Sequence, residues 1–264
     1  MNILAEIIAH KRQEVAQNKA LKPVKLLEQS LFFETTVVSM TTYLKRPDKA
    51  GIIAEIKRSS PSTGPFKGPI DVEKLSVGYM QAGATALSVL TDQRYFQGAN
   101  ADLREARKYN YCPILRKDFI VDEYQLVEAK SIGADCVLLI AACLNPERCR
   151  ELGAFAQSLG LEVLLEIHRR EELDHLNPFI NLVGVNNRNL ENFTTDISQS
   201  IELAAHLPEE LVRISESGIT EAHQVHRLRE HGFQGFLIGG HFMKQAHPER
   251  ACRQLIREIQ AVPA

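Results

Sequence analysis

Glu55 and Lys57 close the apolar stretch that begins at Gly51 with two opposite charges, two residues apart. On an extended strand such residues project to the same side, so a carboxylate and an ammonium would reach one place together. Alone, the pair could be an incidental ion pair at a solvated strand end. Four later apolar runs end in kind: Leu115-Arg116-Lys117-Asp118, Leu165-Glu166, Val185-Asn186-Asn187-Arg188 and Ser215-Glu216-Ser217-Gly218. An ammonium can donate a proton to a developing oxyanion, a carboxylate can take one or steady a cation, and an amide can orient either. Charges gathered this way repel or cost desolvation unless a ligand needs them. The set reads as a ligand site rather than as solvated strand ends.

A second chemistry is written near the C-terminus. Glu216-Ser217-Gly218 and Ile238-Gly239-Gly240 put small residues where backbone N–H groups can approach an anion, and His241-Phe242-Met243-Lys244 follows as a candidate short helix. Consecutive loops of this kind ahead of a helix N-terminus suit a phosphate. The loop from Ser59 to Pro65, continuing to Gly68-Pro69, has the composition of a flap over the mouth. His223 and His226 lie three apart without an accompanying carboxylate set, so no metal site is expected. His168 follows Glu166 by two and could line the same mouth, but no nucleophile pairs with it, and no cysteine falls at a strand end beside a histidine.

The elements that must position these groups repeat in order: a short apolar run, a Gly-, Ser-, Asn- or Asp-rich loop, then an amphipathic helix. Strands are expected at Ile52–Lys57, Ala86–Leu90, Pro113–Lys117, Cys136–Ile140, Glu162–Glu166, Leu182–Asn186, Val212–Ser215 and Gly235–Ile238. Helix starts are marked by Asp71, Asn100, Asp122 with Gln125, Asn145-Pro146, Thr220 and Pro248. Eight strands alternating with helices within 264 residues predict a (β/α)₈ barrel. An open doubly wound sheet fits less well, because no GxGxxG turn follows the first strand. Residues 1–46 carry no strand-like run; Ile3, Leu4, Ile7 and Ile8 fall at helical spacing, and a second short helix is expected over Val24 to Gln29. This stretch reads as a helical extension packed on a catalytic barrel of residues 47–264.

Composition narrows the class. A net charge of −2 argues against a general nucleic-acid or anionic-membrane surface, and 44% hydrophobic residues suffice for a core. The five cysteines are odd in number and lack CxxC spacing, as expected of reduced thiols in the cytosol. Glu6 interrupts the only apolar run at the N-terminus, which excludes a signal peptide, and no run approaches a membrane span.

Seven motifs together resemble the indole-3-glycerol-phosphate synthase family of tryptophan biosynthesis. They are Ala54-Glu-Ile-Lys-Arg-Ser-Ser-Pro-Ser62, Ser88-Val-Leu-Thr-Asp92, Leu115-Arg-Lys-Asp-Phe-Ile120, Leu165-Glu166, Val185-Asn-Asn-Arg-Asn-Leu190, Glu216-Ser-Gly-Ile219 and Leu237-Ile-Gly239. The resemblance runs through the barrel in order and implies the single-function form, without a fused isomerase domain. It also implies closure of 1-(2-carboxyphenylamino)-1-deoxyribulose 5-phosphate to indole-3-glycerol phosphate, with loss of CO₂ and water and no metal or organic cofactor.

By the same resemblance Lys117 is the acid at the C2′ ketone. Lys57 holds the anthranilate carboxylate or expels the C2′ hydroxyl, and Glu166 is the base or stabilises the iminium. Glu55 and Glu216 set the lysines and substrate hydroxyls, Asn186 and Arg188 line the anthranilate side, and Phe119 supplies an apolar wall. Ser60, Ser217, Gly218, Gly239 and Gly240 are the expected phosphate-side or flap contacts. Gly240 stands where the family often carries serine or another side chain, and the turn Tyr95-Phe96-Gln97-Gly98 is a mild variant of its aromatic pair. Whether burial lowers the Lys117 pKa or its carboxylate neighbours raise it stays open at this stage. The partners expected are the small-molecule substrate alone, with no nucleic acid or membrane, and the chain is a monomer or weak homodimer. A phosphoribosyl isomerase is the nearest rival, followed by a lysine-imine aldolase and a non-catalytic docking protein.

Overall fold

A computed structural model describes residues 3–61, 63–66, 68–189 and 193–261; Ser62 and Leu190 of the quoted motifs lie outside the described residues. Eight parallel strands close on themselves: β1 (Ile52–Ile56), β2 (Ala86–Leu90), β3 (Ile114–Lys117), β4 (Cys136–Ile140), β5 (Glu162–Ile167), β6 (Leu182–Asn186), β7 (Val212–Glu216) and β8 (Gly235–Ile238). Closure is made by β8 pairing with β1, in register Phe236 to Ile52. The order follows the chain around the barrel, as the expected alternation requires.

Period-two alternation divides the strand side chains between two cores. Ile53, Leu115, Leu138, Leu164, Ile214 and Leu237 fill the lumen, whereas Ile52, Ala54, Val89, Val163 and Phe236 face the surrounding helices. The outer layer comprises α4 (Val72–Ala82), α5 (Asn100–Tyr109), α6 (Glu123–Ser131), α7 (Pro146–Ser158), α8 (Ser198–Ala204), α9 (Ala222–Glu230), α10 (Gly240–Met243) and α11 (Pro248–Ala261). Between β5 and β6 the crossover is a 3₁₀ run, Arg170–His175.

Most helix starts are read correctly. Asp71 caps α4 by accepting from Lys74 N, and Asn145 caps α7 by accepting from Arg148 N with Pro146 at the first position. Three differ in detail. Asn100 is the first helical residue behind Ala99, and α9 is capped by Glu221, boxed with Gln224, rather than by Thr220. Gln125 folds back to Val121 N, not to the Asp122 cap.

The N-terminal stretch holds three helices, α1 (Ile3–Leu21), α2 (Val24–Leu27) and α3 (Met40–Leu44). The last was not expected. It stops one end of the barrel: Met40 and Leu44 join the lumen core, and the Glu162 carboxylate at the start of β5 accepts from Met40 N, Thr41 N and Ser39 Oγ. Burying Met40 completely contributes about 2 kcal/mol. Helix α1 lies against α6, where Val15 packs with Tyr124 and Val127, and the Tyr124 hydroxyl donates to the carbonyls of Asn18 and Lys22. Among the described residues no helix is long and apolar enough to cross a membrane.

Candidate active site

Every residue given a role by the family resemblance lines one cavity of about 390 Å³ over the carboxyl ends of the strands: Glu55, Lys57, Ser60, Lys117, Phe119, Glu166, Asn186, Arg188, Glu216, Ser217, Gly218, Gly239 and Gly240. Lys117, at the last position of β3, is the hub. Its Nζ donates to Glu166 Oε2 at 2.5 Å and to Glu216 Oε2 at 2.7 Å, joining three strands. Asn186 Nδ2 donates to the other Glu166 oxygen at 3.1 Å, and its register partner on β7 is Glu216. Lys57 Nζ lies 2.5 Å from Glu55 Oε1. The two-residue spacing on β1 does bring both charges to one side.

Electrostatics in this cluster are dominated by burial and by sharing. Burial alone would lower the Lys117 pKa, but Glu166, Glu216 and Glu55 outweigh it, and the ammonium is held well above its ordinary range. That answers the question the sequence leaves open: the carboxylates win. Glu166 is opposed by burial yet drawn below the usual carboxylate range by Lys117 and His168. Glu216 goes the other way, pushed up to about 7 by burial, because Lys117 is already shared and Glu166 repels a second negative charge. The two carboxylates thus titrate as an unequal pair. Glu216 Oε1 is also buried without a hydrogen bond among the described residues.

Two glycines make room for these carboxylates. A Cβ on Gly184 would stand 2.5 Å from Glu216 Oε1, and one on Gly239 would stand 2.1 Å from Glu55 Oε1. Gly239 therefore serves the Glu55 carboxylate as well as the opening of α10. Around Gly240 there is open space within 4 Å, so its lack of a side chain is no steric demand. Ser217 and Gly218 follow β7 with φ of 69° and 78°, a left-handed pair that is costly for serine. A turn strained in this way persists only where the surrounding structure holds it.

The remaining wall is apolar. Phe119 stacks tilted on Phe96 at 6.1 Å between centroids, and Leu138 and Ile140 of β4 continue that side. Ser60 lies in a two-stranded ribbon, Ser59–Ser60 against Gly64–Pro65, so the proposed flap has regular pairing at its base; its hydroxyl shares a hydrogen bond with Thr63 Oγ1 at 2.6 Å. Arg188 donates to Phe193 O at 3.2 Å and forms an isolated bridge with Thr195.

Three strand-end residues do not join the cluster. Arg116 turns outward, wholly buried, to Glu128, Asp118, Thr91 Oγ1 and Gln125 O. Asp118 accepts from Thr91 and pairs with Lys11 of α1 at 3.0 Å. Asn187 donates to Ser215 and to Ser217 O, and accepts from Ser200. Alternation separates them from Lys117, Asn186 and Arg188, so period two applied residue by residue would have found this. The tip of α1, with Ile3, Leu4 and Ile7, also reaches the cavity; no local signal announces that contact.

The sequence model of the family described as indole-3-glycerol phosphate synthase matches residues 4–255. A protein of that name from Bacteroides thetaiotaomicron is 49% identical over 259 residues, covering 98% of this chain and 99% of its own. One from Acinetobacter baumannii is 40% identical over 264 residues, covering 98% and 97%. Among solved structures, a mutant tryptophan synthase α-subunit from Pyrococcus furiosus superposes with a TM-score of 0.60 at 15% identity, covering 81% of this chain and 99% of that one, which speaks to the barrel alone. With its own residues from 4 to 255 matched and relatives near half identical, the chain belongs to the indole-3-glycerol phosphate synthase family.

Proposed function

We propose that the cavity binds 1-(2-carboxyphenylamino)-1-deoxyribulose 5-phosphate and closes it to indole-3-glycerol phosphate, with Lys117 donating to the C2′ oxygen. The observation that carries this reading is the Lys117–Glu166–Glu216 cluster, one ammonium between two buried carboxylates at the floor of a cavity with one apolar side. Ring closure needs the C2′ ketone polarised while the ring carbon bearing the carboxylate attacks it. An ammonium in a water-poor site stabilises the developing oxyanion without reorganisation. Because carboxylates hold its proton, Lys117 acts as a positive donor in the resting site rather than as a free amine.

The substrate carboxylate is drawn to Lys57, whose partner Glu55 aims it into the cavity. Loss of CO₂ leaves the electron pair in the ring system. The C2′ hydroxyl then departs as water with one added proton, and Glu166 takes the proton released from C1′, forming the indole double bond. Phe96, Phe119, Leu138 and Ile140 suit the anthranilate ring, and Arg188 and Asn186 bound that side. Ser217, Gly218, Gly239 and Gly240 suit the phosphate, with Ser60 closing from the ribbon.

All these groups come from one chain, so the reading needs no second subunit. We take residues 1–46 as an extension that completes the barrel rather than as an independent unit. With its five free cysteines the chain is assigned to the cytosol. Incubating the protein with the carboxyphenylamino-ribulose phosphate should produce indole fluorescence at a rate proportional to enzyme. No signal from folded protein would sink the reading.

A further inference from the structure

His168 stands just past the end of β5, its side chain 9% exposed, with Nε2 3.5 Å from Glu166 Oε1 and Nδ1 3.8 Å from Glu172 Oε2. Both distances are too long for hydrogen bonds and short enough for strong charge attraction. Both ring nitrogens are buried without a hydrogen bond among the described residues. Its backbone is locked on both sides: the N–H donates to Glu172 Oε2 at 2.6 Å, and the carbonyl accepts from Gln199 Nε2. Gln199 also donates to Asn186 O at 3.0 Å, so the ring is held in register with the site.

A neutral imidazole here would turn its one N–H toward one carboxylate and a lone pair toward the other, against that carboxylate's negative charge. An imidazolium turns an N–H toward each carboxylate instead. We propose that His168 is a positioning residue, held as an imidazolium between Glu166 and Glu172, that keeps Glu166 ionised when Lys117 turns from it to the substrate. In the resting site Lys117 neutralises Glu166 directly. Once that ammonium bonds the ketone oxygen, a buried Glu166 with no other cation would pick up a proton from water. It could not then accept the one leaving C1′. His168 supplies the second cation, beside the Glu166 oxygen that Lys117 does not hold.

The surroundings favour the charge. Glu166 comes from β5, Glu216 from β7 and Glu172 from the 3₁₀ run, with Arg169 3.4 Å from the other Glu172 oxygen. Lys117 is the opposing cation on β3, while α8 contributes only the Gln199 amide. The Cys143 thiol, beside Glu166 and Glu172, is kept protonated by burial. Burial works against the imidazolium, but Glu172 and Glu166 outweigh it and raise the His168 pKa above its ordinary 6.5.

This inference rests on the reading of Glu166 as the base, and two measurements separate the two. In ¹⁵N-histidine-labelled protein, with His168→Gln used for assignment, the His168 ring should show both nitrogens protonated at pH 7 and titrate above 6.5; Glu172→Gln should lower that midpoint. A ring neutral at pH 7 overturns the proposal whatever the kinetics say. In steady-state assays His168→Gln should move the acid limb of kcat up by about one pH unit, with KM changed less than twofold, and the cationic His168→Lys should restore the parent limb. A pH profile for His168→Gln that coincides with the parent's overturns the proposal too. Parent-like turnover in Glu166→Gln would instead overturn the base assignment, and the nuclear resonance titration would still decide the charge on His168.

Discussion

Two buried lysines, Lys11 among Glu14, Asp92 and Asp118 and Lys117 between Glu166 and Glu216, flank the end of β3 and do opposite things. Lys11 of α1 is fully buried, 2.8 Å from Asp92 and 3.0 Å from Asp118. Lys117, the last residue of β3, lies between Glu166 and Glu216. In the Lys11 cluster every oxygen of Asp92 and Asp118 has a partner, although Asp92 Oδ2 meets only the Lys11 ammonium, at 2.8 Å and without a hydrogen bond among the described residues. Asp92 accepts from Tyr95 N, and Asp118 accepts from Phe119 N, Thr91 Oγ1 and Arg116. Arg116 in turn reaches Glu128 at 2.6 Å. In the Lys117 cluster one Glu216 oxygen is left without a hydrogen bond, and the whole group opens on a cavity. Each cluster has one oxygen without a hydrogen bond, but in the structural one a cation covers it and in the chemical one none does. Strand alternation sends neighbouring residues to one or the other.

The comparison breaks first on rate. Lys117→Met should lower kcat by roughly three to five powers of ten, from loss of the donor to the C2′ oxygen, while the variant stays folded. Its Glu166 and Glu216 face a cavity and can share one proton, so the loss of melting temperature should be smaller than for the Lys11 variant below. Near-parent turnover, measured by indole fluorescence with folding checked by circular dichroism, would show the wrong lysine has been called chemical.

Lys11→Met should do the reverse. Removing the cation leaves Asp92 buried without a cation and Asp118 with Arg116 alone, a loss of about 3–5 kcal/mol, or a fall of about 10 °C or more in Tm. Asp92 anchors the turn that carries Phe96, and Asp118 anchors Phe119, so KM should rise more than kcat falls. Linkage gives the pH signature. Burial notwithstanding, Lys11 and Arg116 hold the Asp118 pKa at about 2, below its unfolded value of about 3.9. Its contribution is present above about pH 4 and lost as pH falls toward 2. Lys11→Met should remove that part of the acid transition; an unchanged acid-unfolding curve would refute the structural role.

Glu216 carries the opposite sign. Its folded pKa is raised to about 7, above an unfolded value of about 4.3, so it lowers stability as pH rises between those values, and the penalty levels off above 7. Glu216→Gln should therefore be more stable than the parent at pH 8, with the advantage gone near pH 4. Activity should fall at the same time. A variant less stable than the parent at pH 8 would mean the carboxylate is structural after all.

Much of this is legible in the sequence. The strands from Ile52 to Ile238 are readable to within a residue at each end, because buried parallel strands are near-continuous apolar runs cut off by loop residues. Lys117, Glu166 and Glu216 were readable as a site because several strand ends broke that run in the same way. Arg116 and Asp118 were not separable from Lys117 by residue type, only by alternation. Less legible were contacts fixed by distant partners. Helix α3 is held by Glu162, more than a hundred residues away, and its five residues carry too little periodicity to announce themselves. His168 fails for a related reason: its role depends on Glu172 folding back over it in a 3₁₀ run that sequence does not specify.

The smallest effect tests the phosphate side, where neither kind of cluster is present. Gly239 cannot change, because a Cβ there would meet the Glu55 carboxylate, but beside it Gly240 faces open space at the first turn of α10. Gly240→Ser adds a hydroxyl where the phosphate is expected, and a helix position tolerates serine slightly better than glycine. One hydrogen bond to a charged group is worth about 1.5 kcal/mol or more when well placed, part of which goes to ordering the hydroxyl and displacing water. KM should therefore fall about twofold to fivefold, kcat should hold, and inhibition by inorganic phosphate should tighten by the same factor. If KM falls but phosphate inhibition does not move, the hydroxyl is meeting the sugar, and the phosphate belongs further toward Ser217 and Gly218.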